Sequence, residues 1–380
     1  MNTVEEISVC VLLVAFVLQM VYWLFIMTRI RRGPRDLSSA LKPVSVIICA
    51  RNEAENLMQL VPALLEQKYA AEKQIIIVDD CSTDDTPLTI ARMRAAYPEI
   101  YTTTIPGDAK FKHGKKLAIS VGIKAAKFEH MIFIDADCVP ASSNWLTSVM
   151  EHYADGRKRL VIGYGRYAKH SGLLNLLIRY ETFWNAIQYL GFAVAFKPFM
   201  GVGRNLSYTK SLYDESSKFR NNLHLLSGDD DMFVSEMGTR ANTAINFIRE
   251  GQTISEPEST WMGYSAQKSR HLTTASLYPK RVKAMLGMEQ VSRAAYWVAL
   301  AAVFGILCAQ GLPMSPIMWI ACGALAVRTI TMYIILGLSA RNMGESKMWL
   351  LALPFDIIIP LMELSAWATG SLTQKSYKWK

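Results

Sequence analysis

The chain has 380 residues, 51% hydrophobic and 19% charged, with a formal net charge of +9. The apolar residues gather at both ends around a polar middle, which excludes a transporter built of spans throughout. No basic stripe interleaved with aromatics runs through it, so no nucleic-acid partner is expected. The six cysteines, Cys10, Cys49, Cys81, Cys138, Cys308 and Cys322, form no C-x-x-C pair and so carry no zinc or dithiol signature. They read as small buried thiols of a reducing compartment.

In chain order, residues 7–27 are apolar except for Gln19 and long enough to cross a bilayer. Glu5 and Glu6 precede this run, and Arg29, Arg31, Arg32, Arg35 and Lys42 follow it. That pattern is the reverse of a signal peptide and predicts a retained anchor with the next segment cytoplasmic. Residues 44–49 are a β-branched run without helical period, hence a buried strand. The following Ala50-Arg51-Asn52-Glu53 holds no glycine, which excludes the G-x-G-x-x-G turn of dinucleotide-binding folds. A helix is predicted over 54–67, a strand over 74–78, a turn at 79–85, helices over 86–96 and 115–127, and a strand over 131–135. Alternation of this kind predicts an α/β fold with a parallel-core sheet and helices on both faces. Ligands of such sheets bind beyond the carboxyl ends of the strands, where residues 49–52, Asp79, Asp80, Asp135 and Asp137 fall.

These ends carry chemistry. Asp135-Ala136-Asp137 can turn two carboxylates onto one hard cation, Mg2+ or Mn2+, which would bridge a diphosphate. One of Asp79 and Asp80 can accept the N3–H of a uracil ring while the other caps the next helix. Lys115 and Lys116, after His113 and Gly114, open a helix where a cation meets phosphate. In Ser227-Gly228-Asp229-Asp230-Asp231, adjacent carboxylates raise one another's pKa, and one can serve as general base. Gln267 and Arg270 share a helix face, the arginine suited to a diphosphate and the glutamine to a sugar or acceptor. Residues 172–196 suit either a membrane surface guiding a lipid acceptor or the core. Residues 200–205 form a tight loop with Arg204 and Asn205 in reach of sugar or phosphate.

Three further apolar segments are predicted at 294–312, 317–338 and 350–369; the last is broken by Pro354 and Pro360, so two or three form the membrane region. Arg328, Asp356 and Glu363 inside them are costly in lipid and should face protein or a polar path. Lys268, Arg270, Lys280, Arg281 and Lys283 before this region, and Lys375, Lys378 and Lys380 in the tail, suit an anionic leaflet.

Together these motifs, over residues 43–271, resemble the inverting family 2 glycosyltransferases. The likeness is greatest to the membrane-integrated branch with cellulose, hyaluronan and poly-N-acetylglucosamine synthases and ceramide glucosyltransferase. The resemblance implies a glycosyltransferase A-like fold with transmembrane helices at both ends. It implies nucleotide-sugar binding by Arg51, Glu53, Asp80, Lys115, Asp135, Gln267 and Arg270. It also implies a metal on Asp137 and Asp135, Asp137 being the closer ligand, and a base at Asp230 with Asp231 next in register. Ser120 stands where the family has Asn, and His271 where Q-x-x-R-W has Trp, the residue that meets the acceptor sugar in the synthases. The expected organisation is an anchor over 1–30, a cytoplasmic catalytic domain over 40–290, a membrane region over 294–370 and a basic tail over 371–380. The implied reaction moves a sugar from a nucleotide diphosphate sugar, UDP-linked by the resemblance, to a lipid-linked or glycan acceptor at the cell membrane. The alternatives are a processive polysaccharide synthase or a non-catalytic nucleotide-sugar binder of the same fold.

Overall fold

The computed structural model describes residues 3–30, 41–107, 114–216, 229–275, 278–312, 315–345 and 347–361. Arg31, Arg32, Arg35, His113, Ser227, Gly228, Glu363, the basic tail and the side chain of His271 lie outside what is described. The described residues form two compact units, 41–275 and 3–30 with 278–361.

The first unit is a mixed, mostly parallel sheet. Its core strands are β1 (Val44–Ala50), β2 (Lys73–Asp80), β3 (Ile100–Ile105) and β4 (His130–Asp135). Near-continuous apolar runs suit strands covered on both faces. On one face Val44, Val46, Ile48, Ile75 and Ile77 pack against Leu57, Leu60 and Leu64 of the helix Ala54–Leu65 and Ile90 and Met93 of the helix Thr86–Ala96. The helix Lys115–Ala125 lies on the other face, where Gly122 meets Ile47 and Val78. Past β4 the sheet departs from an all-parallel design. β6 (Leu160–Gly163), β8 (Leu206–Thr209) and β9 (Thr243–Asn246) complete the order β3-β2-β1-β4-β8-β6-β9, with β8 antiparallel to both neighbours. A second sheet, β5-β10-β7, is made of Cys138–Pro140, Thr253–Ser255 and Gly165–Tyr167. The helix Leu173–Ala195 buries Tyr180, Phe183, Trp184, Ile187 and Leu190, so of the two readings of that stretch the structure has the core one.

The second unit holds three helices long and apolar enough to cross a membrane, over Thr3–Arg29, Lys280–Ala309 and Pro316–Met343. Ser315 caps the last by accepting the Met318 N–H, with Pro316 in the first turn and Gly344 closing the far end in the left-handed region. The helix from Lys280 begins well before the apolar run expected from 294, because its basic first turns continue the same helix. The final segment is a shorter apolar helix, Met348–Leu361, within its described part. Arg328 and Asp356 face protein, as their cost in lipid demands: Arg328 Nη1 lies 2.7 Å from Asp356 Oδ2. The thiols differ from expectation, since among the six only Cys138 is buried while Cys10, Cys308 and Cys322 are exposed on the apolar helices.

Candidate active site

Parallel register brings the strand ends level: Ala50 pairs with Asp79, and Cys49 with Asp135. The turns that follow are backbone-strained, with Asn52 at φ 59° and Cys81 at φ 49°. They hold each other in place. Asn52 N–H donates to Ser82 Oγ at 3.0 Å, and Thr83 N–H to Asn52 Oδ1 at 2.8 Å. Asp79 Oδ1 accepts the Ser82 N–H at 3.1 Å and its hydroxyl at 2.5 Å. Asp79 therefore fixes its own turn. The N-cap position of the next helix belongs not to Asp79 or Asp80 but to Asp85, which makes no side-chain cap bond, and Asp84 in the turn before it accepts the Thr86 N–H at 3.0 Å. Asp80 is fully buried, with Arg51 Nη1 3.9 Å from its Oδ2. Glu53 N–H donates to Thr86 Oγ1 at 2.8 Å, and its carboxylate accepts from Asn56 at 2.5 Å. Burial raises the Glu53 carboxyl against that bond, and Asp137 and Asp135 raise it further, so this turn faces the D-x-D.

Lys115 crosses from the start of its helix to the end of β4, with Nζ 2.6 Å from Asp135 Oδ1. Burial opposes its charge, but Asp135 and Asp230 outweigh that and hold the ammonium well above its ordinary range. Asp230 lies in the first turn of the helix Asp229–Met237. Burial raises its carboxyl; Lys115 pulls it down, Asp135 pushes it up, and a bond from the Gly203 backbone pulls it down. A Cβ on Gly203 would overlap this carboxylate, so only glycine admits it. Asp231 is turned elsewhere, its Oδ1 accepting the Gly201 N–H at 3.3 Å.

The side chains of Asp135, Asp137 and Cys138 offer ligand atoms within 4.8 Å of one another. Two carboxylates at a strand end fit a hard divalent cation, with the thiol a poorer partner for it. The thiol is engaged within the protein, donating to Asp137 Oδ1 at 3.2 Å and lying 2.9 Å from Ser255 Oγ.

Gln267 and Arg270 lie on the helix Trp261–Ala275, which Glu181 holds through the Tyr264 hydroxyl and Lys268 Nζ. Gln267 Nε2 donates to the Tyr167 hydroxyl at 3.4 Å, and Arg270 is half-buried. Arg204 stacks on the Tyr167 ring at 4.5 Å. Asn205 is not available to a substrate. Its amide donates to Tyr164 O and Gly251 O and accepts from Trp145 Nε1, all inside the fold. The structure thus brings together Arg51 with Asp80, Lys115 with Asp135 and Asp230, and Gln267 with Arg204 through Tyr167. Sequence reasoning missed Tyr167, Cys138 and Ser255, which lie on strands of three residues that give no periodic signal.

Residues 45–208 match the family model described as Glycosyl transferase family 2. The 4,4'-diaponeurosporenoate glycosyltransferase of Staphylococcus haemolyticus is 29% identical over 164 residues, 41% of this chain and 42% of that protein. The chain thus matches less than half the length of this relative. Glycosyltransferase AglE of Haloferax volcanii is 26% identical over 215 residues, 56% of this chain and 67% of that protein. Among solved structures, the mannosyltransferase PcManGT from Pyrobaculum calidifontis, in complex with GDP-Man and Mn2+, shares the fold. Its TM-score is 0.56 at 17% identity, covering 90% of this chain and 99% of that one. The family match spans the strands whose carboxyl ends present Arg51, Asp80, Asp135 and Asp137, and identifies residues 45–208 as a glycosyl transferase family 2 domain.

Proposed function

We propose that the chain is a membrane-bound inverting glycosyltransferase that moves a sugar from a nucleotide diphosphate sugar to a hydroxyl of a lipid-linked or glycan acceptor. UDP is the nucleotide that the family resemblance favours. The observation that carries this reading is the Lys115–Asp135 ion pair, with Asp137 and Asp230 around it, at the carboxyl ends of a parallel sheet. Asp230 takes the proton of the acceptor hydroxyl, and its raised proton affinity suits it to that role. The freed oxygen attacks the anomeric carbon opposite the diphosphate, so a single displacement inverts the centre. Lys115 and Arg270 receive charge on the departing diphosphate, Arg51 and Asp80 seat the nucleotide base, and Gln267 meets the sugar or acceptor. Glu53 braces the first of these turns. A Mg2+ or Mn2+ ion on Asp137 and Asp135 would supply charge neutralisation at the diphosphate. The GDP-Man and Mn2+ in the PcManGT complex support this class of donor and ion. The apolar helices of the second unit are read as spans of the cell membrane, with the catalytic unit on the cytoplasmic side beside the basic flanks.

The test is nucleoside diphosphate release by the detergent-solubilised chain, given a panel of UDP-, GDP- and dTDP-sugars, Mn2+ and a membrane-lipid extract. Asp137→Ala and Asp230→Asn should each lower release from the preferred donor by about 100-fold or more. The product should carry the inverted linkage by NMR, and its mass should distinguish one added sugar from many. Retained configuration, or release indifferent to both substitutions, would sink the reading.

A further inference from the structure

Arg204 lies within the site with a charge that no ion pair among the described residues answers. A guanidinium is charged at every working pH and presents a planar fork of donors. Its Nη2 donates to the Gly165 carbonyl at 2.7 Å, and its plane lies over the Tyr167 ring at 4.5 Å. Both partners are neutral. Among the described residues its buried Nε has no hydrogen-bond partner, and no carboxylate lies within ion-pair reach. Holding a cation among neutral groups is costly, so an arrangement built around one calls for an anion.

The arrangement is built. A Cβ on Gly165 would overlap the Arg204 side chain, so β7 carries glycine where the guanidinium passes. Gly203, one residue earlier, is pressed against the Asp230 carboxylate. Tyr167, under the guanidinium, takes the Gln267 bond on its hydroxyl. Tyr167, Ser255 and Cys138 form one row across the small sheet, and the Cys138 thiol donates to Asp137. Arg204 thus stands between the proposed base, the D-x-D turn and the Q-x-x-R helix. Its field also reaches Asp137. A divalent ion on Asp135 and Asp137 would neutralise those carboxylates and leave Arg204 as surplus positive charge.

We propose that Arg204 is a substrate-anion-binding residue of this site, taking a phosphate or carboxylate oxygen beside the D-x-D turn. The proposal rests on the glycosyltransferase reading. Two substrates can bring such an oxygen, the donor through its diphosphate or an acidic acceptor.

Calorimetry on the full chain in detergent with Mn2+ tests it, using UDP, GDP, uridine and guanosine as probes on wild type, Arg204→Met and Arg204→Lys. Folding of the variants is checked by melting temperature. A donor role predicts that Arg204→Met weakens diphosphate binding by about 10- to 100-fold and nucleoside binding by less than about twofold, with Arg204→Lys between. An acceptor role predicts unchanged diphosphate binding and an acceptor KM raised by a similar factor, kcat holding. Either result supports the proposal and names the source. Equal loss for nucleoside and diphosphate, or no change in binding and KM, overturns it and leaves the glycosyltransferase reading standing. A folded wild type that binds no nucleoside diphosphate overturns that reading, and the Arg204 role with it.

Discussion

A general base must be ionised to act, yet it accepts a proton better the more its environment disfavours that ionised form. Asp230 is held in such a balance. Burial and Asp135 push its proton affinity up, while Lys115 and the Gly203 backbone bond restrain it. The sign for stability follows from linkage. A carboxyl whose folded pKa is raised holds its proton in the folded state at a pH where the unfolded chain has lost it. Its contribution to stability is therefore greatest at low pH and is lost as pH rises from the unfolded value through the folded one. Asp230→Asn, which should lower turnover by about 100-fold or more, should thus raise the melting temperature at pH 7, by on the order of 2 °C. The gap should close as the pH is lowered through the raised pKa and wild-type Asp230 takes up its proton. A variant that melts below wild type at pH 7 would mean that the ionised carboxylate is a net structural asset, through Lys115, and not a strained base. Wild-type activity should fall on the acid side at a higher pH than an ordinary aspartate would give, because the base is lost as pH falls through its raised pKa.

The helix Lys115–Ala125 delivers Lys115, and its seat on the sheet depends on one missing side chain. A Cβ at Gly122 would lie 2.5 Å from Ile47 Cγ2 and 3.3 Å from Val78 Cγ2. Glycine costs this helix propensity, but it lets the axis come close enough for Lys115 to reach Asp135. Gly122→Val should destabilise the unit by about 1–3 kcal/mol through overpacking and weaken nucleoside diphosphate binding at the same time. Lys124→Ala, on the exposed side of the same helix, should do neither; the comparison is read by thermal melt and calorimetry. An unchanged melt for Gly122→Val would show that the helix has slack against the sheet. How far such elements were legible depended on their length. The runs at 44–49, 74–78 and 131–135 were readable as unbroken apolar stretches bounded by polar residues, and the helix at 86–96 by the turn that leads into it. β6 to β10 have three or four residues each, too few for a period, and the antiparallel β8 answers to partners far away in sequence. The site divides the same way. Asp135, Asp137 and Lys115 were visible as residue types at strand and helix ends. The contact between Lys115 and Asp135, and the Cys138–Ser255–Tyr167 row, arise only when the helix and the small sheet are assembled.

At the scale of the whole molecule, the unit of long apolar helices is tied together by charge. Arg328 and Arg293 share Asp356: Arg328 Nη1 lies 2.7 Å from Oδ2, and Arg293 Nη1 3.9 Å from Oδ1. Arg293 Nε is also 3.3 Å from Glu289 Oε1, so two cations face two anions. Arg328 Nη2 donates to Gln19 Oε1 at 2.9 Å, and the Gln19 amide donates to Ser292 Oγ at 2.9 Å. Trp297 Nε1 donates to Asp356 Oδ2 at 2.8 Å. The network joins the first helix, both long C-terminal helices and the short last one. Glu289, Arg293, Arg328 and Asp356 are each at most 3% exposed, so removing one strands an opposite charge in a dry setting. Arg328→Leu or Asp356→Leu alone should cost about 3–5 kcal/mol and appear as a lower melting temperature and a poorer yield of monodisperse protein in detergent. The double variant removes one charge of each sign and leaves Arg293 with Glu289. Its melting temperature should therefore lie nearer to wild type than that of either single variant. If the two losses instead add in the double variant, the side chains act by packing alone and the charge balance has no part in holding the helices together.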